Sequence, residues 1–322
     1  MGKRDMIRNV ALGAAMLFLL SGCGGSEKES GEALNAKGQA YLDSGNAAKA
    51  VECFTAAAET GFAEAMMNLS SCYVEGAGVQ PDPATAFGWI KQSADAGFPR
   101  AKAYICLFYL RGIGTEQNVE KAIVTLDSEV ALGNADAMAI LANLYEVGAG
   151  VEIDMAKALE LHRQAAMKGN ALSMYFMGRA YAKGLGGVRA NPTAGAEWYQ
   201  KAHDAGSIEA TGKLGVCHMM GAGVAKDEAK GLALLQQAAN AGDPDSMYNL
   251  GVCNERGIGM PENPEEAVRW YRIAAEAGCP EAMYNLSICL ANGKGVAQDK
   301  VEAIEWKSKA TESGKELRGR DS

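Results

Sequence analysis

Glycine-rich turns recur along the chain and are the first residues whose type and spacing could do chemistry, because such turns can cradle a phosphate. Each has the form G-x-G, as in Gly76-Ala77-Gly78. A dinucleotide-binding loop needs G-x-G-x-x-G after a strand, and a P-loop needs G-x-x-x-x-G-K-[ST]. The sequence contains neither, and it lacks the S-x-x-K, K-T-G and G-x-S-x-G patterns of activated serines. We therefore predict no catalytic residue and no cofactor.

Cysteines are the next candidates. Seven follow residue 23: Cys53, Cys72, Cys106, Cys217, Cys253, Cys279 and Cys289. An exported chain meets an oxidising compartment, so disulfides are possible. Four of the seven share one position of a repeating helical pattern: Cys72, Cys217, Cys253 and Cys289. Such neighbours lie a helix pair apart, whereas a disulfide needs Cα atoms within about 7 Å. We expect the thiols to act as small buried hydrophobes, with a structural bridge as the alternative.

Histidines and tryptophans could hold a metal or a ligand. His162, His203 and His218 occupy different positions of the pattern and form no H-E-x-x-H motif, so no metal site is predicted. The four tryptophans share one position: Trp89, Trp198, Trp270 and Trp306. Such a ladder could stack on sugars, but large rings at helical spacing more often pack against a neighbouring helix. We expect core packing.

These residues are positioned by an internal repeat. Residues 243–278 contain PDSMYNLGVCNERGIGM, and residues 279–314 repeat it as PEAMYNLSICLANGKGV. Apolar residues in each half recur at helical spacing, which predicts two short helices around a glycine turn. Neither helix could bury its apolar face alone, so the repeats must stack. Seven repeats are predicted in residues 62–314: 62–97, 98–133, 134–169, 170–206, 207–242, 243–278 and 279–314.

The regular spacing also predicts where the helices begin and end. A glycine column ends the first helix of each repeat, where a left-handed residue is favoured: Gly76, Gly112, Gly148, Gly184, Gly221, Gly257 and Gly293. An Asp/Asn column is expected to cap the second helix: Asp82, Asn118, Asp154, Asn191, Asp227, Asn263 and Asp299. Together the columns predict an all-α fold, an α/α superhelical solenoid of stacked two-helix repeats.

The pattern A-x-x-x-L-G-x-x-Y-x-x-G-x-G-V, followed by K-A-x-x-W-Y-x-x-A-A-x-x-G, is similar to the Sel-one-like repeat family. That family is related to tetratricopeptide repeats, and the resemblance implies an adaptor that assembles other proteins. Cysteine-rich members staple each repeat with paired cysteines and are linked to β-lactam- or peptidoglycan-directed activity. This chain has no regular second cysteine and so departs from that group.

The resemblance also implies that the first helices line a concave binding face. Asn68, Asn249 and Asn285 share one position there, beside Tyr248 and Tyr284. An asparagine amide both donates and accepts, so these residues could clamp the backbone of an extended peptide partner. The alternative is that each satisfies local backbone groups. The clamp would be confined to the ends, because other residues hold the position in the middle: Tyr104, Ile140, Phe176 and Lys213.

The N-terminus predicts export. Basic residues precede an apolar run at residues 10–20 that is too short to span a bilayer, so residues 1–22 are interpreted as a signal peptide. Leu20-Ser21-Gly22-Cys23 resembles a bacterial lipobox, which implies lipidation of Cys23; an ordinary signal peptide is the alternative. Gly24, rather than Asp, resembles the sorting signal for the outer membrane. Residues 23–31 would be a flexible tether, 32–61 a tetratricopeptide-like capping pair, and 315–322 a polar tail.

The net charge of -8 and the absence of a basic run give no electrostatic reason to bind nucleic acid. The leading hypothesis is therefore a non-catalytic, outer-membrane lipoprotein that faces the periplasm and binds protein or peptide partners. Two alternatives stay open. One is a β-lactam- or peptidoglycan-acting protein, against which the missing serine motifs and paired cysteines argue. The other is an architectural spacer.

Overall fold

The computed structural model describes residues 29–318 of the chain. The predicted signal peptide, Cys23, nearly all of the tether and the last four residues lie outside this range. Within this range, sixteen helices form consecutive pairs joined by short turns, and no strand is present. Odd numbers denote first helices of a pair and even numbers second helices: α1 Gly31–Asp43, α2 Ala47–Glu59, α3 Ala63–Glu75, α4 Pro83–Asp95, α5 Pro99–Arg111, α6 Val119–Ala131, α7 Ala135–Val147, α8 Met155–Met167, α9 Ala171–Lys183, α10 Pro192–Asp204, α11 Ile208–Met220, α12 Glu228–Asn240, α13 Pro244–Arg256, α14 Pro264–Glu276, α15 Pro280–Asn292 and α16 Lys300–Arg318.

The helices form two compact units. Helices α1 to α8 make up the first, which ends at Asn170, and α9 to α16 make up the second, which begins at Ala171. Within each unit a helix packs against its own partner and against the first helix of the following pair. The prediction of stacked two-helix repeats is therefore confirmed.

Local capping explains why the helices begin and end where they do. All seven residues of the Asp/Asn column accept hydrogen bonds from backbone N–H groups in the first turn of a second helix, as Asp154 does from Lys157 at 2.9 Å. All seven glycines of the other column have positive φ, as Gly148 does at 71°. Both predicted columns are confirmed.

In four of the turns the second glycine has a further role that spacing alone does not reveal. A Cβ on Gly114 would lie 1.8 Å from the carbonyl oxygen of Pro83, the first residue of α4 in the preceding repeat. The equivalent clash is 2.2 Å between Gly295 and Pro264. Glycine is therefore required because the turn contacts the backbone of the neighbouring repeat, and not only because the chain reverses there.

Small residues let the first helices approach their neighbours. One column of first-helix residues is completely buried: Ala65, Ala101, Ala137, Ser173, Ala210, Ser246 and Ala282. Around it the cores of the two units are built from leucine, methionine and aromatic side chains, such as Leu126 in the first and Tyr271 in the second. Burial of this kind is the main stabilising contribution to repeat stacking.

The end of the last repeat differs from the other repeat ends. Gly278 has a φ of 94° and ends its repeat, whereas Gly314 lies inside α16, which continues to Arg318. Pro280 follows Gly278 closely and cannot continue a helix. Gly314 is followed by Lys315-Glu316-Leu317-Arg318, all good helix formers, so the helix extends.

Candidate interaction surface

The first helices carry the predicted binding residues, and the structure shows how each one is used. Asn68 of α3 donates from its amide nitrogen to the side-chain oxygen of Asn35 in α1, at 2.8 Å. Asn35 is buried. This bond joins two consecutive first helices, so part of the hydrogen-bonding capacity of Asn68 serves the stack itself.

Asn249 and Asn285 belong to the second unit and have different partners. Asn249 of α13 donates to the backbone carbonyl of Asp245, one turn earlier in the same helix, at 2.8 Å. Asn285 of α15 hydrogen bonds with the hydroxyls of Tyr248 and Tyr271 in the preceding repeat. Each asparagine therefore has a contact inside the protein, although all three remain partly exposed.

The two candidate tyrosines have unequal exposure. Tyr248 stacks on Tyr271, with ring centroids 6.0 Å apart, and is partly buried. Burial raises the pKa of Tyr248, and the hydrogen bond from Asn285 opposes that rise. Tyr284, at the same position of the next repeat, is 50% exposed. Tyr248 and Asn285 thus come together, while Tyr284 is the ring most available to a partner.

Polar contacts between consecutive repeats were not predicted from the sequence. The Lys213 ammonium lies 2.7 Å from the carboxylate of Asp245, which joins α11 to α13. In the first unit Asp136 lies between Arg100 and Asn170, at 3.5 and 3.0 Å. The sequence signal that could have revealed the two ion pairs is a basic and an acidic residue on the first helices of consecutive repeats. These bonds hold first-helix side chains in defined positions.

The cysteines in the described part of the chain are free, and five of the seven are buried. Burial raises the pKa of the Cys72 thiol to about 11 and the pKa values of Cys106 and Cys279 to about 12. A thiol is nucleophilic only as thiolate. The expectation that these residues act as small hydrophobes therefore agrees with their surroundings.

The tryptophans lie at the edge of the core. All four are partly buried, and Trp89, Trp270 and Trp306 pack against buried clusters. The indole N–H of Trp306 donates to the Glu302 carboxylate at 3.1 Å. Lysine ammonium groups lie over the rings of Trp198 and Trp306, at 4.3 and 4.2 Å from the centroids.

Among the described residues, no group of three or more His, Cys, Asp or Glu side chains could hold a metal ion. None of the helices over residues 29–318 combines the length and apolar character that crossing a membrane requires.

The fold and its columns define a helical-repeat protein built from stacked two-helix units. The sequence model of the Sel1 repeat matches eight segments of the chain: 33–62, 63–98, 99–124, 135–170, 171–207, 208–243, 244–279 and 280–315. The chain therefore belongs to the Sel1-repeat family, which confirms the resemblance found in the sequence. The first match falls on the helix pair that we expected to be a tetratricopeptide-like cap.

Three solved structures are similar to this chain, and the first two have the same fold. A protective antigen of uropathogenic Escherichia coli that displays an SLR fold is 29% identical, with a TM-score of 0.54, over 88% of this chain; the match spans 62% of that protein's chain. A Sel1 repeat protein from Oxalobacter formigenes is 22% identical, with a TM-score of 0.56, over 98% of this chain and 99% of its own. An immunity protein from Pseudomonas aeruginosa is 24% identical, with a TM-score of 0.46, over 65% of this chain and 81% of its own. No curated protein matches significantly.

Proposed function

We propose that the protein is a non-catalytic scaffold that binds protein or peptide partners through its first helices. The observation that carries this proposal is the fixation of first-helix side chains by contacts between repeats. Asn68 is held by Asn35, Lys213 by Asp245, and Asn285 by Tyr248. Side chains that are already ordered lose little conformational entropy on binding, so a stiff surface favours association.

The second unit offers the sharpest test of the surface. Tyr284 of α15 and Ile273 of α14 are 50% and 45% exposed, but one belongs to a first helix and the other to a second helix. A photoreactive amino acid introduced at each position therefore compares the two faces at matched exposure. We expect a specific protein adduct in intact cells from position 284 and only background from position 273.

The reverse pattern, or equal adducts from both positions, would contradict a first-helix interface. Only background from both would favour an architectural spacer. A chromogenic β-lactam assay tests the absence of catalysis separately, and turnover that a single substitution abolishes would overturn the proposal.

We further propose that Cys23 is lipidated and anchors the protein to the outer membrane, facing the periplasm. The support is the Leu20-Ser21-Gly22-Cys23 sequence, together with Gly24. Several acyl chains give stable anchoring, since each buried methylene adds about 0.8 kcal/mol. Cys23 lies outside the described residues, so this proposal depends on the sequence.

Metabolic labelling with a clickable palmitate analogue tests the anchor. The natural protein should be labelled and found in the outer-membrane fraction, whereas Cys23→Ala should be neither. Gly24→Asp should remain labelled but move to the inner membrane. An unlabelled natural protein would rule out the anchor, and a Gly24→Asp variant that stays in the outer membrane would rule out sorting by residue 24.

A further inference from the structure

One repeat of the second unit contains a groove beside a position that the repeats of the first unit fill with tyrosine. In the first unit the N–H of Asp154 donates to the carbonyl of Tyr145 at 3.0 Å, and the N–H of Lys157 donates to the Asp154 side chain at 2.9 Å. Tyr109, Asn118 and Lys121 repeat this arrangement. The Lys121 and Lys157 ammonium groups each lie 4.2 Å from the ring centroid of the tyrosine.

In one repeat of the second unit, His218 replaces that tyrosine while the backbone arrangement is retained. The N–H of Asp227 donates to the carbonyl of His218 at 2.8 Å, and the N–H of Lys230 donates to the Asp227 side chain at 2.9 Å. Imidazole is smaller than a phenol ring, so it leaves space that tyrosine would occupy. An open groove is found at this place, between α10, α11 and α12, with His218 and Lys230 among its lining residues.

The groove has a polar rim and an apolar floor. Lys201 and Glu197 of α10 and Lys230 of α12 line it, with Ala196, Leu214 and Val224 as its apolar part. The Lys201 ammonium lies over the Trp198 ring. Two lysines against one glutamate leave the groove with a positive balance.

His218 gives the groove a buried polar group without a partner. The residue is 9% exposed, and its Nδ1 is buried with no hydrogen-bond partner among the described residues. Leaving a lone pair unsatisfied is tolerated better than leaving a buried N–H unsatisfied. The tautomer with its proton on Nε2 is therefore favoured, which makes Nε2–H the donor that His218 can offer to a ligand in the groove.

We propose that this groove binds a carboxylate, held by Lys201 and Lys230 and oriented by His218. Three donors around an apolar floor suit a carboxylate on a short aliphatic stem, such as an acidic side chain or a C-terminus. Glu197 would repel the second charge of a phosphate dianion. If the carboxylate belongs to a protein partner, the role of the site rests on the proposed scaffold function. Binding of a free carboxylate does not depend on that function.

Imidazole NMR can test the site directly, because the chain has only three histidines. The full-length protein, labelled with 15N-histidine, would be titrated with N-acetylglycine, with N-acetylaspartate amide and with inorganic phosphate. We expect saturable shifts of His218 with one or both carboxylates, at a dissociation constant on the order of 1 mM. His162 and His203 should not move.

Variants distinguish the groove from general charge effects. Lys201→Gln combined with Lys230→Gln should weaken binding at least about tenfold, a loss of about 1.4 kcal/mol. The matched control, Lys121→Gln combined with Lys157→Gln, should bind as the natural protein does. His218→Tyr should fill the groove. In protein with 13C-labelled Leu and Val methyl groups, the shifts that the carboxylates cause at Leu214 and Val224, which line the groove, should then be lost.

Several results would overturn the proposal. They are no shift of His218, equal shifts of all three histidines, unchanged affinity in the Lys201/Lys230 variant, or tighter binding of phosphate than of either carboxylate. The two carboxylate probes separate a C-terminal from a side-chain source. Because the probes are small molecules, this result is independent of whether the photo-crosslinking experiment finds a protein partner.

Discussion

Gly251 of α13 lies directly against the ring of Tyr271 of α14, and a Cβ at residue 251 would come within 2.5 Å of two ring atoms. Gly178 has the same relationship to Tyr199, and Gly38 to Phe54. In these three repeats the glycine of the motif is thus paired with an aromatic residue of the second helix. It gives the two helices of a repeat their close contact.

The first prediction concerns this pair. Gly251→Ala should destabilise the protein by about 1–3 kcal/mol, because Tyr271 is completely buried and cannot move away without disturbing the core. Gly88 is the matched control, since it lies inside α4 and an added Cβ would meet nothing within 4 Å. Gly88→Ala should stabilise by about 0.5–1 kcal/mol through helix propensity. Urea denaturation measures the change in the free energy of unfolding for both variants. A change of the same sign in both would contradict the packing role of Gly251.

A second prediction concerns pH and the junction at Asp136. Burial raises the pKa of Asp136 above its ordinary value of 3.8, although Arg100 opposes the rise. Arg100→Gln removes the opposing charge, so the pKa should rise further. Stability at neutral pH should fall by about 0.5–1 kcal/mol, since Arg100 is more than a third exposed.

The sign of the pH dependence follows from linkage. A carboxyl whose pKa is higher in the folded than in the unfolded protein costs stability when it is ionised, and the cost disappears as pH falls toward 3.8. The deficit of Arg100→Gln should therefore be largest at neutral pH and shrink on acidification. Arg163→Gln, in an exposed pair with Glu160 on one helix, is the control and should cost about 0.5 kcal/mol or less. A deficit that grows in acid would refute this account of Asp136.

A third prediction distinguishes Tyr248 from Tyr284, which occupy the same position in consecutive repeats. Tyr248→Ala should cost about 2–4 kcal/mol, because it removes the contact with Tyr271 and the hydrogen bond to Asn285. Tyr284→Ala should cost less than about 1 kcal/mol, because half of that side chain is exposed. Tyr284→Ala should instead weaken binding to the partner that crosslinking identifies. If Tyr284→Ala lowers the free energy of unfolding as much as Tyr248→Ala does, Tyr284 has a structural role and not a binding role.

The fourth prediction concerns the thiols. At mildly alkaline pH, Cys72, Cys106 and Cys279 should resist alkylation by N-ethylmaleimide in the folded protein, because burial raises their pKa values to about 11–12 and shields them. Cys53 is partly exposed and should react first. Mass spectrometry after brief labelling, with and without urea, measures the order. Peptides joined by a disulfide would show instead that the bridge alternative was right.

Much of the fold was predictable because its signals are local. A cap such as Asp154 contacts N–H groups within three residues, and Gly148 takes its φ of 71° within its own turn. The 36-residue spacing then implies stacking, since a lone helix pair cannot bury its apolar face. Residue types along the chain contain this information without reference to any distant contact.

The candidate site was predictable only in outline. The sequence placed Asn68, Asn249 and Asn285 in one column, yet the structure gives them three different partners: Asn35, the Asp245 backbone and the tyrosine pair. The proposed roles of these residues and of Tyr284 in binding stay predictions.

By itself the sequence determined most of the helix ends, the repeat length and the all-α class, because these depend on hydrogen bonds and periodicity within a few residues. Only the tertiary structure decided which side chains are used between repeats and which remain available. It showed that Tyr248 is partly buried while Tyr284 is exposed, and that a groove lies beside His218, at the position that Tyr145 holds in another repeat. Those outcomes depend on how neighbouring helices approach each other, and identical residue types in one column cannot specify that.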